Sequence, residues 1–334
     1  MKIWGLQAVR RAFAQGPGKR FPAQGGARVS QGLLLPSGPA PFTLIPGQRI
    51  FTIGSCFARE IERHLTGFDL PCAAFRAPPA EWPHRPNGLL SEYSPQAMAQ
   101  RIGWALDDVR TRDRGDTIVG DTDDAVIDLL LPGGAPVTRQ RAEARRDEID
   151  DVYRALFGAD VLILTLGMVE VWRDEAAGQW LNRMPPTALM RADPGRYSFR
   201  RLPPVACVRA LAPALERLIE AGTRRIILTV SPVPMQTTFS GQDCVTANSF
   251  SKAALRVAAE ELTRQLAPAV DHFPSYEMVT SAGLSAFCDD LVHVRPQVVA
   301  QVMQAMRARY IKPDEAAQGQ PADAGGLPRM SEPA

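Results

Sequence analysis

The sequence predicts an α/β protein in three layers, with a parallel β-sheet covered by helices on both faces. Two observations carry this. The runs Asp160–Leu166 (DVLILTL) and Arg225–Ser231 (RIILTVS) are almost wholly apolar, as strands buried on both faces are. Stretches of helical periodicity separate them from each other and from a third strand, Ile50–Gly54, and such alternation marks a parallel sheet. Pro71–Phe75 and Val270–Phe273 are weaker strand candidates.

Taken in chain order, residues 1–47 read as an irregular basic arm, solvated and loosely docked. Lys2, Arg10, Arg11, Lys19, Arg20 and Arg28 occur there with no acid, the first being Glu60. A domain then spans 48–311. CFAREIERHL follows the first strand as a helix; PQAMAQRIGWAL and RQRAEARRDEIDDVYRALF precede the second. PVACVRALAPALERLIEAG precedes the third strand, SFSKAALRVAAEELTRQL the last, and PQVVAQVMQAMRARY closes the domain. Asp107–Leu131 breaks the alternation and reads as a small hairpin excursion; its acids lack the Gly and Glu spacing of a calcium loop. RDEAAGQ, between Trp172 and Trp180, reads as a second hairpin. Residues 312–334 have few large apolar side chains and read as a disordered tail.

Composition bounds the function classes. With 45% hydrophobic residues in a chain of 334, a sizeable core is available. The 38 basic and 36 acidic residues leave a net charge of +2, so no global field selects nucleic acid or a membrane surface. No stretch approaches the ~20 apolar residues of a spanning helix. The initial run IWGL is too short for a signal-peptide core. Five cysteines, none close to another in the chain, fit neither a disulfide framework nor a zinc site. A soluble, cytoplasmic protein without metal or cofactor is expected, with His272 structural rather than a ligand.

Parallel sheets bind ligands beyond the carboxyl ends of their strands. FTIGSCFARE places two nucleophile-capable side chains, Ser55 and Cys56, at such an end, where Gly54 frees the backbone for a strand-to-helix turn. Far downstream, Asp290-Leu291-Val292-His293 sets a carboxylate three residues before an imidazole, close enough to fix its tautomer and stabilise its protonated form.

A nucleophile after the first strand and Asp-x-x-His before the last helix resembles the SGNH (GDSL-type) hydrolases. The closest resemblance is to the GSCFA family, whose motif stands at Gly54-Ser55-Cys56-Phe57-Ala58. It recurs at Thr165-Leu166-Gly167 with Glu170-Val171-Trp172, at Thr229–Pro234, at Ala247-Asn248 with Ser251-Lys252, and at Phe273–Glu277. The resemblance implies a flavodoxin-like sandwich of about five parallel strands. It also implies an SGNH-like hydrolase or acyltransferase acting on an ester or acyl group, through an acyl-enzyme. Related branches act on carbohydrates, which makes a saccharide or other small-molecule substrate the expectation.

Two registers are open for the nucleophile. Aligning Gly54 with the glycine of the Gly-Asp-Ser-Leu block puts Ser55 on the aspartate and Cys56 on the attacking serine, and the helix N-terminus favours a thiolate there. A slip of one residue makes Ser55 the nucleophile. His293 is then the base and Asp290 its orienting acid. Valine stands where the third block carries its oxyanion asparagine, so Asn87 and Gly88 are the replacement candidates, with Gly54 and Gly167 beside them. Glu170 would orient a substrate hydroxyl or cap a loop, and Trp172 would stack on a sugar or pack in the core. A saccharide-binding or polysaccharide-assembly protein that keeps the fold without the chemistry is the alternative.

Overall fold

The computed structural model describes residues 3–14, 16–83, 85–109 and 116–311. The expected tail at 312–334 and residues 110–115 of the excursion lie outside the described residues. The lead-in is not wholly irregular. Its first element is a helix, α1 (Gly5–Ala14), none of whose residues is buried, and a two-residue hairpin follows, β1 (Val29–Ser30) with β2 (Leu33–Leu34). Nor is it loosely docked throughout: Leu33 and Leu44 are fully buried, and the Leu44 amide donates to the Tyr310 carbonyl at 2.8 Å.

The chain then enters β3 (Ile50–Gly54), α2 (Cys56–His64) and a single helical turn, α3 (Pro71–Ala74). This turn replaces the expected strand at Pro71–Phe75. Proline at the first helical position, where no amide is needed, starts a helix as readily as it edges a strand. Next come α4 (Pro95–Leu106), the excursion hairpin of β4 (Ile118–Val119) with β5 (Ile127–Asp128), and α5 (Arg139–Arg154). Strand β6 (Val161–Leu166) is followed by an antiparallel group: β7 (Glu170–Asp174), β8 (Gln179–Leu181), α6 (Thr187–Ala192) and β9 (Tyr197–Arg201). The last part contains α7 (Pro204–Glu220), β10 (Arg225–Val230), α8 (Cys244–Gln265), β11 (Val270–His272), α9 (Ser275–Ser281) and α10 (Pro296–Tyr310).

The central sheet is parallel throughout, in the order β11-β10-β6-β3. Four strands rather than about five compose it, because the fifth candidate is α3. Its side chains divide by parity, as the two-residue period of a strand requires. Phe51, Ile53, Leu162, Leu164, Leu166, Ile226, Leu228 and Val230 face a layer built from α4, α5, α7 and α8. Ile50, Val161, Ile163 and Ile227 face the opposite layer of α2, α9 and α10, which Leu33 and Leu44 join. Burying one such side chain is worth about 1.5–3 kcal/mol. Both faces being covered explains why the strands read as continuous apolar runs.

A second sheet, β8-β7-β9, stands beside the carboxyl end of β6. Trp172 pairs with Leu181 and Arg173 with Trp180, so RDEAAGQ is the turn of a hairpin, as its flanking residues predict.

Candidate functional site

The site is built where β3 stops. Gly54 has φ of 153°, and a Cβ there would come within 2.5 Å of the Thr165 carbonyl of the neighbouring strand. Glycine alone lets the chain leave β3 this close to β6. The next residue, Ser55, is buried, and its Oγ accepts from the Phe57 amide at 3.3 Å, so it caps α2. Cys56 follows as the first residue of α2 and lines a cleft of about 740 Å³.

Three strand ends supply this cleft. Cys56 lies beyond β3, Met168 beyond β6, and Val233 to Met235 beyond β10. The segment 91–93 extends the sheet edge, with the Glu92 amide donating to Gly54 O at 2.9 Å; Tyr93 O accepts from the Gly167 and Met168 amides, each at 3.0 Å. An apolar wall faces the opening, where Trp172, Phe199 and Phe239 pack ring against ring at 5.3–5.8 Å. Trp172 is thus a cleft residue, whereas Trp180, on the opposite side of the hairpin, is not among those lining it.

His293 also lines the cleft. Its Nδ1 lies 2.5 Å from Asp290 Oδ2, while Asp290 Oδ1 accepts from the amides of Val292 and His293, both at 2.9 Å. The turn is tight enough to put Leu291 at φ of 56°. Hydrogen bonds from the imidazole and from these two amides hold the Asp290 carboxyl down to about 2, so the group is ionised at any working pH. With Nδ1 committed, Nε2 is the nitrogen left for proton exchange.

The surroundings of Cys56 differ from the expectation of a ready thiolate. Burial pushes the thiol above its ordinary range, and Arg85 and Lys252 pull it back only in part. Arg85 donates to Cys56 O at 2.8 Å and pairs with Glu60 on α2. Lys252 is fully buried, and its Nζ donates to Gly167 O and Val233 O, each at 2.7 Å. Burial holds its ammonium down to about 7, and the nearby Cys56 raises it. Two neighbours on the same face of α8 do related work. Ser251 Oγ accepts from the Val169 amide at 3.0 Å, and Asn248 Oδ1 from the Met235 amide at 3.1 Å. The face thereby ties down both loops that flank Cys56. The sequence contains this signal in the i, i+3, i+4 spacing of Asn248, Ser251 and Lys252, which places the three on one face of α8.

The expected oxyanion donors are placed otherwise. Asn87 does not line the cleft; its amide nitrogen donates to buried Glu62 at 2.7 Å and to Cys72 O at 3.0 Å. Gly88 does line it, but its amide donates to Arg85 O at 2.9 Å, and a Cβ there would strike Trp82. The Gly167 amide is taken by Tyr93 O. Among the described residues, the Cys56 amide has no hydrogen-bond partner in another residue at this turn, whereas the Ser55 amide is taken by Thr165 O and the Phe57 amide by Ser55 Oγ. Glu170 caps a loop: its oxygens accept from Thr238 Oγ1 at 2.6 Å and from the Phe239 amide at 3.0 Å.

Cys72 and Cys207 are buried and Cys244 and Cys288 half-buried, and all five thiols are free. His272 is held neutral by burial and by Arg256 and Arg309, which push its pKa to about 3. Among the described residues no group of three or more His, Cys, Asp or Glu could hold a metal ion, and no helix is long and apolar enough to cross a membrane.

Comparison with curated proteins finds no match, and comparison with solved structures finds none. The family comparison does: the model of the GSCFA family matches residues 49–306, and the chain belongs to that family.

Proposed function

We propose that the protein is an SGNH-like hydrolase or acyltransferase that works through an acyl-enzyme on Cys56. One observation carries this reading: Cys56 opens onto the same cleft as an imidazole already oriented by a carboxylate, while Ser55 is turned away to cap α2.

His293 Nε2 takes the proton from Sγ as the sulfur bonds to the acyl carbon. The raised thiol makes such a base necessary, because little thiolate is present beforehand. The Cys56 amide, at the positive end of α2, donates to the developing oxyanion. Imidazolium then protonates the departing alkoxide, leaving a thioester. Water or an acceptor hydroxyl, deprotonated by the same imidazole, releases the acyl group. The aromatic wall of Trp172, Phe199 and Phe239 supports a sugar ring as one half of the substrate. Five free thiols suit a reducing compartment, the cytoplasm in this reading.

The test is a burst experiment with 4-nitrophenyl acetate. About one equivalent of nitrophenolate per chain is expected, absent in Cys56→Ala and in His293→Ala. The non-catalytic, saccharide-binding alternative draws on the commitment of the Asn87 amide to Glu62, and expects no burst in any of the three proteins.

A further inference from the structure

With one exception, the arginines of the cleft are paired. Arg59 pairs with Glu62 at 2.9 Å, and Arg85 pairs with Glu60. The carboxylate of Glu170 is turned to neutral donors, Thr238 Oγ1 and the Phe239 amide, and pairs with no arginine. Arg183 is the exception among these arginines. It lines the cleft and is half-buried, and its Nη1 is enclosed yet has no hydrogen-bond partner. The nearby carboxylate, Asp128, is already held by Arg146 through two contacts of 2.6 and 2.7 Å. Continuing the β7–β8 register would bring Arg183 opposite Glu170, but pairing ends at Leu181 and no ion pair forms.

The position is also rigid. The adjacent Asn182 donates from its amide to Leu129 O at 2.9 Å and from Nδ2 to Ser91 O at 2.6 Å, and its Oδ1 accepts from the Tyr93 amide. Ser91 in turn bridges to Gly54, beside Cys56. A guanidinium carried on this anchored backbone, lining the same cleft as Cys56, partly stripped of water and without an ion-pair partner, is costly in the empty protein. Burial and the neighbouring Arg145 lower its pKa, with Asp128 only partly offsetting them. An incoming anion would recover that cost, and the planar fork suits the two oxygens of a carboxylate or phosphate.

We propose that Arg183 anchors an anionic group, carboxylate or phosphate, on a substrate whose ring lies against Trp172, Phe199 and Phe239. The inference deepens the reading of this cleft as a substrate site, but it can be tested without turnover. Benzoate, phenyl phosphate and benzamide present the same ring with a carboxylate, a phosphate and no charge. Titration calorimetry of the full-length protein should show at least one anion binding tenfold or more tighter than benzamide, and the stronger of the two identifies the group. Arg183→Met should erase that preference, and Arg183→Lys should retain part of it. Raising sodium chloride should weaken the anion in the unmodified protein and leave benzamide unaffected, which keeps the test decisive if a variant fails to fold. Equal affinities, absence of binding, or an anion preference that survives in Arg183→Met would overturn the proposal. A missing burst with 4-nitrophenyl acetate would count against the chemistry at Cys56 and not against Arg183.

Discussion

Ser55 and Cys56 are neighbours with opposite surroundings, and their substitutions should separate accordingly. Ser55→Ala removes the cap on Phe57, so it should cost about 1 kcal/mol in urea unfolding and only a modest factor in turnover. Asp290→Asn keeps the shape of the turn but removes the charge that faces Nδ1. It should leave the melting temperature nearly unchanged while lowering turnover roughly 10²- to 10⁴-fold. Activity close to the parent's would move the orienting role elsewhere, Asp289 being next in the chain. Asp290 and His293 were legible in the sequence because three residues of spacing decide their contact. Asn87 was not, since its partners Glu62 and Cys72 O are brought to it by packing. Cys56 was legible in place but not in protonation: helix position favours the thiolate, and burial, which outweighs it, has no local signature.

At the scale of elements, α8 links stability to the site. Asn248, Ser251 and Lys252 hold the loops after β6 and β10, at the cost of a lysine without a carboxylate partner. The pH dependence follows from its depressed pKa. Between about 7 and 10.5 the unfolded chain keeps a proton on this amine that the folded chain has lost, so stability rises with pH in that window. Lys252→Met lacks this contribution. The unfolding free energy of the unmodified protein, relative to Lys252→Met, should therefore increase by about 2 kcal/mol between pH 7.5 and 9.5. Urea titrations at the two pH values measure it, and a difference that does not change would show that Lys252 titrates normally. The helices themselves were largely readable: α4 and α10 begin and end where their periodicity and their proline starts place them. The exceptions are α1, which reads as part of the arm, and α3, α6 and α9, which at four, six and seven residues are too short to show a period.

The whole molecule shows why an arm that reads as loose contributes to the fold. The apolar residues Leu33 and Leu44 lie outside the central sheet, yet they complete the layer formed by α2, α9 and α10. Gly, Pro and Ser dominate residues 29–47, and the short apolar runs at 33–35 and 44–45 are too brief to show a period. Leu44→Ala should destabilise the protein by about 2–5 kcal/mol, whereas deleting residues 1–14 should leave the melting temperature unchanged, because α1 buries nothing. Equal effects of the two changes would mean that the arm docks as one unit. The three-layer plan was legible from apolar runs and alternation alone. The shape of the cleft was not, since it comes from the three strand ends and the β7–β8–β9 sheet meeting in space.

Whether Cys56 carries the acyl group is read from peptide-mapped mass spectrometry after rapid acid quench of the reaction with 4-nitrophenyl acetate. An acetyl thioester on Cys56 is expected, labile to hydroxylamine at neutral pH and absent from Cys56→Ala. An acetyl ester on Ser55, or an unmodified chain after full release of nitrophenolate, would contradict it.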